Sequence, residues 1–324
     1  MEINKHTPCF IYSKEEIVSS CRQLKAALPE FDFLFSIKAN PFEPVVRLIG
    51  DCGFGADAAS LEEVNKAISC GLSPNDIYYS APGKTKEDIR SALGKCVLIA
   101  DSLHELRLIE QIGSEYQCIQ KIGVRIHPAF AMDGESRSSK FGVDLEQIDD
   151  LREVIDQCAH LEICGIHVHL QSQILDASLL ASYYRNVMDI ALHIQKECGI
   201  SLTFINFGSG IGAVYDEAKD RPVDLDALHD ACMEVFDLNR KCGARLLIET
   251  GRFVTCRAGK YYTPVLDKKT SRGKTYLIAA GGLNGFLRPT VAAMLKKASS
   301  GRPLPAMEPL YTGTNEFQIR VLKS

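Results

Sequence analysis

The chain has 324 residues, of which 46% are hydrophobic and 24% are charged, an ordinary composition for a water-soluble globular protein. Its formal net charge of −4 gives no reason to expect nucleic acid or an anionic membrane as a partner, and no apolar run is long enough to span a bilayer. The twelve cysteines contain no Cys-x-x-Cys pair, and residues 1–8 lack the apolar region of a signal peptide, so we expect reduced thiols and a cytoplasmic protein.

Short apolar runs alternate with amphipathic segments along most of the chain. Helical spacing predicts helices over 103–112, 174–196 and 224–242, with a capping-box start at Ser60 and a stop at Gly243. Eight strand–helix units predict an α/β fold and a closed (β/α)8 TIM barrel. An open doubly wound sheet is the alternative, but it needs a glycine-rich loop after the first strand, and none follows. The predicted strands are 33–38, 53–57, 76–80, 97–101, 120–126, 162–169, 203–207 and 245–249.

Both ends of the chain lie outside the predicted barrel, which we assign to residues 26–259. Residues 1–25 and 260–324 are predicted to form a second, β-rich domain, with a β-hairpin made by 261–266 and 275–280. Residues 317–322 alternate like a strand, and the sequence ends two residues later. We therefore expect the β-rich domain to be incomplete at its carboxyl end.

Ionisable side chains concentrate at the carboxyl ends of the predicted strands, the face on which barrel enzymes build their active sites. The residues at these ends are Lys38, Asp57, Arg125, His167, His169 and Glu249. Lys38 follows an apolar run, where desolvation is expected to lower the pKa of its ammonium group and favour a Schiff-base nucleophile. The alternative for Lys38 is a surface lysine whose apolar stem covers the core.

A glycine-rich segment, residues 207–212, follows the seventh predicted strand, where barrels commonly bind phosphate. Its backbone N–H groups can approach an anion closely, and Arg252 can reach the same anion. A lysine that captures an aldehyde together with a phosphate cradle indicates pyridoxal 5'-phosphate, with Glu249 at the pyridine nitrogen and His169 against the ring. The plainer alternatives are a simple turn, a structural salt bridge at Glu249 and an ordinary barrel histidine at His169.

These motifs resemble those of the fold-type III pyridoxal-phosphate decarboxylases, the diaminopimelate and ornithine decarboxylase group. The resemblance runs from Thr7 to about Pro289. It is carried by Ser-Ile-Lys-Ala-Asn at 36–40, Gly-Ala-Asp-Ala-Ala-Ser at 55–60, Arg-Ile-His-Pro at 125–128, Ser-Lys-Phe-Gly at 139–142, Gly-Ile-His-Val-His-Leu-Gln-Ser-Gln at 165–173, Gly-Ser-Gly at 208–210, Glu-Thr-Gly-Arg at 249–252, Gly-Gly-Leu-Asn at 281–284 and Arg-Pro at 288–289.

The resemblance implies an alanine-racemase-like barrel that decarboxylates an amino acid, with no metal. Lys38 would hold the cofactor as an internal aldimine, His169 would stack on the ring, and Arg288 would hold a substrate carboxylate. The other cofactor-binding residues implied are Asp57, Arg125, Ser172, Gly208, Ser209, Gly210, Glu249, Gly251 and Arg252. The nearest branch comprises decarboxylases of siderophore and other secondary-metabolite pathways, so the expected substrate is a diamino acid or a conjugated amino acid.

The chain departs from the family pattern at several positions. Ser209 and Gln171 stand where the family has glycines, and a later tyrosine is absent. The family also has a further carboxyl-terminal segment that completes the partner subunit's site. We therefore expect a homodimer or a complementing carboxyl-terminal chain, and weak activity of this chain alone.

Two other functions stay open at this point. An amino-acid racemase of the same fold is one, although the resemblance would then place an arginine at the ring nitrogen, where Glu249 stands. A non-catalytic relative that binds a partner protein is the other.

Overall fold

The computed structural model describes residues 7–131, 138–208, 210–215 and 220–282. The predictions for Ser209, Arg288 and the strand at 317–322 lie outside these residues. The chain divides into two compact units, one of Lys14–Ala213 with Pro222–Arg257 and one of Met1–Ser13, Val214–Arg221 and Ala258–Ser324. This division differs from the predicted border at residue 26, because the first helix buries Ile17, Cys21 and Leu24 within the larger unit. The functional division into two domains stays a prediction.

Strands and helices alternate along most of the described chain. The strands are β1 (Cys9–Tyr12), β2 (Phe31–Ser36), β3 (Gly55–Ala58), β4 (Ile77–Tyr79), β5 (Val97–Ala100), β6 (Gln120–His127), β7 (Val143–Asp144), β8 (Leu161–His167), β9 (Phe204–Asn206), β10 (Arg245–Thr250), β11 (Gly259–Tyr262), β12 (Val265–Ser271) and β13 (Lys274–Ala279). The α-helices are α1 (Lys14–Ala27), α2 (Glu43–Asp51), α3 (Leu61–Ser69), α4 (Lys86–Ala92), α5 (Leu103–Tyr116), α6 (Ile148–Gln157), α7 (Ala177–Cys198), α8 (Leu225–Ala231), α9 (Met233–Cys242) and α10 (Arg252–Thr255).

Eight parallel strands close into a barrel, which confirms the predicted (β/α)8 fold. The order around the barrel is β2, β3, β4, β5, β6, β8, β9 and β10, and β10 pairs back with β2. The register aligns polar residues of neighbouring strands: Ser36 pairs with Asp57, Arg125 with His167, and His167 with Asn206. This alignment brings the predicted polar residues to one end of the barrel.

Phe204 fills the interior of the barrel with help from two glycines on neighbouring strands. A Cβ added at Gly123 would lie 2.8 Å from Phe204 Cζ and 2.6 Å from Ile99 Cδ1, and a Cβ at Gly165 would overlap the same ring. The ring also meets Tyr78, with centroids 5.0 Å apart in an edge-on arrangement. The two glycines therefore provide the volume that the phenylalanine occupies.

Two of the predicted helix ends are confirmed, although the predicted capping box is incomplete because the Glu63 carboxylate accepts from Ala59 N instead of Ser60 N. Ser60 accepts a hydrogen bond from Glu63 N at 3.2 Å, and Gly243 ends α9 with a φ of 72°. The predicted helix over 224–242 is wrong as one helix, because it breaks into α8 and α9 at Cys232. The Cys232 N–H bonds to both Leu228 O and His229 O, which tightens the last turn of α8.

The smaller unit contains two antiparallel strand pairs. β1 pairs with β11, and β12 pairs with β13 across a turn in which Arg272 and Gly273 both have positive φ. The predicted first hairpin strand at 261–266 is therefore partly wrong. Tyr261 and Tyr262 pair with β1, and the hairpin begins at Val265, after Pro264, which lacks the N–H that a sheet ladder needs.

No helix in the described part of the chain is long and apolar enough to cross a membrane.

Candidate active site

A cleft of about 440 Å³ opens at the carboxyl ends of the barrel strands, a size typical of small-molecule sites. A second cleft of about 380 Å³ lies at the opposite end of the barrel, where Arg245 is paired by Asp32 and Asp76, and it contains none of the predicted site residues. The residues that line the first cleft include Lys38, Ser80, Arg125, His127, Phe130, Phe141, His167, His169, Gln171 and Glu249.

Lys38 lies in a single 3-10 turn just after β2 rather than at the end of the strand. Its Nζ is 3.4 Å from Asp57 Oδ2, and 57% of its side chain is exposed toward the cleft. Asp57 is buried, and its other oxygen accepts a hydrogen bond from Ser80 Oγ at 2.6 Å. The lysine amine is therefore open to a ligand and is held by one carboxylate.

The expected lowering of the Lys38 pKa is wrong. The carboxylate of Asp57 raises the pKa of Lys38, burial lowers it by less, and Glu249 raises it further. An opposite charge at this distance favours the ammonium form. Only the burial of Lys38 can be inferred from the sequence, because the carboxylates that face its amine, Asp57 and Glu249, come from other strands.

Asp57→Asn is expected to lower the pKa of the Lys38 amine, since the first cause of its elevation is removed. Because the free amine is the form that captures an aldehyde, the rate of covalent pyridoxal-phosphate capture should rise at lower pH than in the wild type. Stopped-flow absorbance of the cofactor-free protein across a pH series measures this. Ser80→Ala is the matched control, since it removes the hydrogen bond to Asp57 but keeps the charge. An Asp57→Asn profile that is unchanged or moved to higher pH would contradict the argument.

Glu249 lies on β10 at the base of the cleft, with only 2% of its side chain exposed. Asn206 Nδ2 donates a hydrogen bond to its Oε1 at 3.1 Å. His167 Nε2 lies 3.1 Å from the same oxygen but is not aligned for a hydrogen bond, and His169 Nδ1 lies 3.4 Å from Oε2. The buried Glu249 carboxylate is thus surrounded by nitrogen atoms of Asn206 on β9, of His167 on β8 and of His169 just after β8.

The charge states of this cluster follow from burial and contact. Burial lowers the pKa of His167, so its imidazole is neutral. Burial alone would raise the pKa of Glu249, but the contacts with His167 and His169 hold it well below its usual range. The two directions agree when a neutral His167 imidazole lies beside an ionised Glu249 carboxylate. The cleft therefore carries a fixed negative charge at its base.

The same cluster has a spacing that a metal ion could also use. The ligand atoms of His167, His169 and Glu249 all lie within 4.8 Å of one another. The expectation of no metal stays a prediction.

The predicted phosphate-binding residues that the structure describes lie in the segments that follow β8, β9 and β10. Gly208 has a φ of 65°, and a Cβ there would lie 2.8 Å from His169 Cβ. A Cβ at Gly251 would lie 2.8 Å from Ala39 Cβ. Arg252 donates a hydrogen bond to Ser172 Oγ, which joins the segments after β10 and β8. Glycines at these two positions let backbone segments approach one another without side chains in the way, as a backbone anion cradle requires.

Arg125 lines the cleft, but protein groups surround its guanidinium. Nη1 is 3.6 Å from Asp101 Oδ1, Nη2 donates to His169 O at 3.4 Å, and the group lies 4.4 Å from the centre of the Phe141 ring. Arg125 therefore holds the backbone of His169 in addition to facing the cleft.

Sequence reasoning missed several polar residues beside the cleft. Ser80 and Asn206 contact the predicted carboxylates directly. Lys84 is fully buried and donates to Glu105 Oε2 at 2.9 Å and Ile99 O at 2.7 Å, and burial lowers its pKa. An asparagine within an apolar strand is a usable signal for Asn206, whereas Lys84 follows Pro82 and Gly83 in what reads as an ordinary surface turn.

Residues 14–256, which span the whole barrel, match the family model described as "Pyridoxal-dependent decarboxylase, pyridoxal binding domain". The chain belongs to this decarboxylase family. The family prediction is therefore confirmed, and so is the prediction of pyridoxal 5'-phosphate as cofactor. The racemase and the non-catalytic binding protein are not favoured.

Named relatives of this decarboxylase extend the match beyond the barrel. The diaminopimelate decarboxylase of Aquifex aeolicus is 28% identical over 88% of this chain and 69% of the relative. The L-glutamyl-[BtrI acyl-carrier protein] decarboxylase of Niallia circulans is 29% identical over 86% of this chain and 67% of the relative. The crystal structure of Helicobacter pylori diaminopimelate decarboxylase complexed with L-lysine superposes with a TM-score of 0.79 at 26% identity, covering 89% of this chain and 74% of that one.

The described residues of the decarboxylase fit the cofactor. The cleft offers an exposed lysine amine for the aldehyde and a buried ionised carboxylate for a protonated ring nitrogen. Gly208, Gly251 and the Arg252–Ser172 contact follow the neighbouring strands and fit a phosphate. The protein is thus a pyridoxal-phosphate-dependent amino-acid decarboxylase.

Proposed function

We propose that the enzyme decarboxylates a diamino acid or a conjugated amino acid in secondary metabolism, with Lys38 as the cofactor-binding lysine. The observation that carries the residue assignment is the pairing, in one cleft, of an exposed lysine amine with a buried ionised glutamate. The substrate class is supported by the two kinds of named relative, which act on diaminopimelate and on a glutamyl group carried by a protein.

Each residue has a defined task in this proposal. The Lys38 amine would hold the cofactor aldehyde, and Asp57 keeps that amine in place. His169 would help to hold the cofactor ring, and Arg125 fixes the backbone of His169. Ser172, Gly208, Ser209, Gly210, Gly251 and Arg252 hold the phosphate, and Arg288 holds a substrate carboxylate.

Glu249 has the central electrostatic task. When bound, pyridoxal phosphate supplies a protonated ring that takes up the electron pair left behind as carbon dioxide departs. The Glu249 carboxylate keeps the proton on the ring nitrogen, because its negative charge stabilises the positive charge there. Its burial makes this interaction strong, since little water screens it.

We also propose that the enzyme is cytoplasmic and acts as a homodimer or with a complementing carboxyl-terminal chain. Twelve free cysteines support a reducing compartment. Light scattering of the purified protein tests the oligomeric state.

The test of the proposed function is carbon dioxide release by the pyridoxal-phosphate-loaded protein across a substrate panel. The panel contains lysine, ornithine, diaminopimelate, arginine and their conjugates, together with a glutamyl thioester on an acyl-carrier protein. We expect release from one diamino acid or conjugate well above the others. Release from none of them, by protein that shows the absorbance of bound cofactor, would refute the proposed substrate class.

A further inference from the structure

Asn206 is fully buried at the end of β9 and makes two hydrogen bonds in opposite directions. Its Oδ1 accepts from Gly208 N at 2.8 Å, and its Nδ2 donates to Glu249 Oε1 at 3.1 Å. A backbone N–H can only donate, so the amide oxygen must face Gly208 and the NH₂ must face Glu249. The orientation of the amide therefore follows from its surroundings.

The backbone adds a second connection between the same two residues. Glu249 N donates to Gly208 O at 2.9 Å, while Gly208 itself has a φ of 65°. Gly208 is thus held at its N–H by Asn206 and at its carbonyl by Glu249. The first residue of the glycine loop and the buried carboxylate form one hydrogen-bonded unit.

The two oxygens of Glu249 have different surroundings. Oε1 takes the Asn206 hydrogen bond and lies 3.1 Å from His167, which is almost fully buried. Oε2 lies 3.4 Å from His169, whose side chain is 24% exposed. One oxygen is therefore occupied by the protein interior, and the other lies on the side of the cleft.

We infer that Asn206 is a positioning residue that joins the phosphate cradle to the ring-nitrogen carboxylate. It holds Gly208 in its left-handed conformation, and it occupies Oε1 so that Oε2 faces the cofactor. This inference rests on the proposed roles of Glu249 and of the glycine loop.

The Asn206→Asp variant distinguishes the proposed positioning role from a role in packing alone, because it keeps the shape of the side chain and changes its hydrogen bonding. The new carboxyl keeps an oxygen for the Gly208 N–H, but its second oxygen takes the place of the Nδ2 that lies 3.1 Å from Glu249 Oε1. Two carboxylate oxygens this close must share a proton. With that proton the variant donates to Glu249 as asparagine does, and without it the two charges repel.

The variant should therefore behave like the wild type at low pH and lose cofactor affinity as the pH rises. The wild type has no second carboxyl group at position 206 beside Glu249. The other titratable or charged groups near the pair are His167, His169, Lys38, Arg125 and Tyr183, and all of them are common to both proteins. A fall in cofactor affinity with rising pH that appears only in the variant is consequently assigned to the carboxyl group at position 206.

The experiment measures pyridoxal-phosphate affinity by absorbance and fluorescence from acidic to alkaline pH, alongside thermal unfolding of the cofactor-free proteins and carbon dioxide release. Asn206→Ala should bind cofactor about tenfold more weakly at every pH, because it lacks both hydrogen bonds. Asn206→Asp should match the wild type on the acidic side and lose about tenfold or more in cofactor affinity on the alkaline side.

Asn239→Asp is the matched control. Asn239 also accepts one hydrogen bond, from Ala244 N, and donates one, to Ala244 O, but it lies on α9. It should change stability and leave the pH profile of cofactor binding as in the wild type.

Two outcomes overturn the inference. One is an Asn206→Asp profile that parallels the wild type at every pH, and the other is wild-type affinity in Asn206→Ala. The first remains decisive if the alanine variant fails to fold. A wild type that binds no cofactor would instead overturn the proposed roles together with the inference, so the two failures are distinguishable.

Discussion

Lys38→Ala should reduce decarboxylation by several orders of magnitude and abolish covalent attachment of the cofactor. The reason is that the Lys38 amine is exposed in the cleft, whereas the buried lysine nearby, Lys84, has its Nζ enclosed by Glu105 and backbone carbonyls. In the wild type, borohydride reduction followed by peptide mass mapping should place the pyridoxyl group on Lys38.

The control for this experiment is Lys121→Ala, whose side chain is 67% exposed at the opposite end of β6 and pairs with Glu162. It should keep both the label and the activity. Recovery of the label on Lys84 or on any other lysine would exclude Lys38 from the cofactor-binding role.

Glu249→Gln should keep the cofactor bound but slow decarboxylation about a hundredfold. Glutamine keeps a side-chain oxygen that can accept from Asn206 and a backbone N–H that donates to Gly208, so the link to the glycine loop is retained, while the charge that stabilises the protonated ring is removed from a buried position. Losing one preorganised electrostatic partner of this kind costs on the order of 3 kcal/mol in the chemical step. Single-turnover kinetics with the best substrate of the panel isolate this step from substrate binding.

A second glutamate–histidine pair provides the control. Glu110 Oε1 lies 3.1 Å from His160 Nδ1 on the outside of the barrel, so Glu110→Gln removes a similar contact away from the cleft. We expect it to affect stability and to leave turnover close to that of the wild type. Turnover of Glu249→Gln near the wild-type value would remove Glu249 from the ring-nitrogen role.

The barrel was predictable because each buried strand is a short apolar run and each crossover helix has apolar residues at helical spacing. The predicted runs overlap all eight barrel strands, and the polar residues at their ends do meet in one cleft. The predictions that were wrong concern features that depend on contacts between distant segments. The break at Cys232 and the pairing of Tyr261 with Phe10 leave no periodic signal in the sequence.

The site was predictable in composition but not in electrostatics. Residue type and motif order pointed to Lys38 and Glu249, and both line the cleft, while their roles stay a prediction. The direction of the Lys38 pKa depends on Asp57, which the strand register places beside the end of β2. Asn206 was missed for a related reason. Within an apolar strand, a single asparagine gains meaning only when its two hydrogen-bonding partners are known.

The arrangement of Phe204 between two glycines restricts how the barrel interior can evolve. An alanine at position 165 would overlap the ring, and one at position 123 would press against it, so either change alone is expected to be selected against. A smaller residue at position 204 first opens a cavity, which is also unfavourable. A larger residue at position 123 or 165 therefore requires a smaller residue at position 204 in close succession. In an alignment of relatives, the side-chain volume at 204 should fall where the volume at 123 or 165 rises.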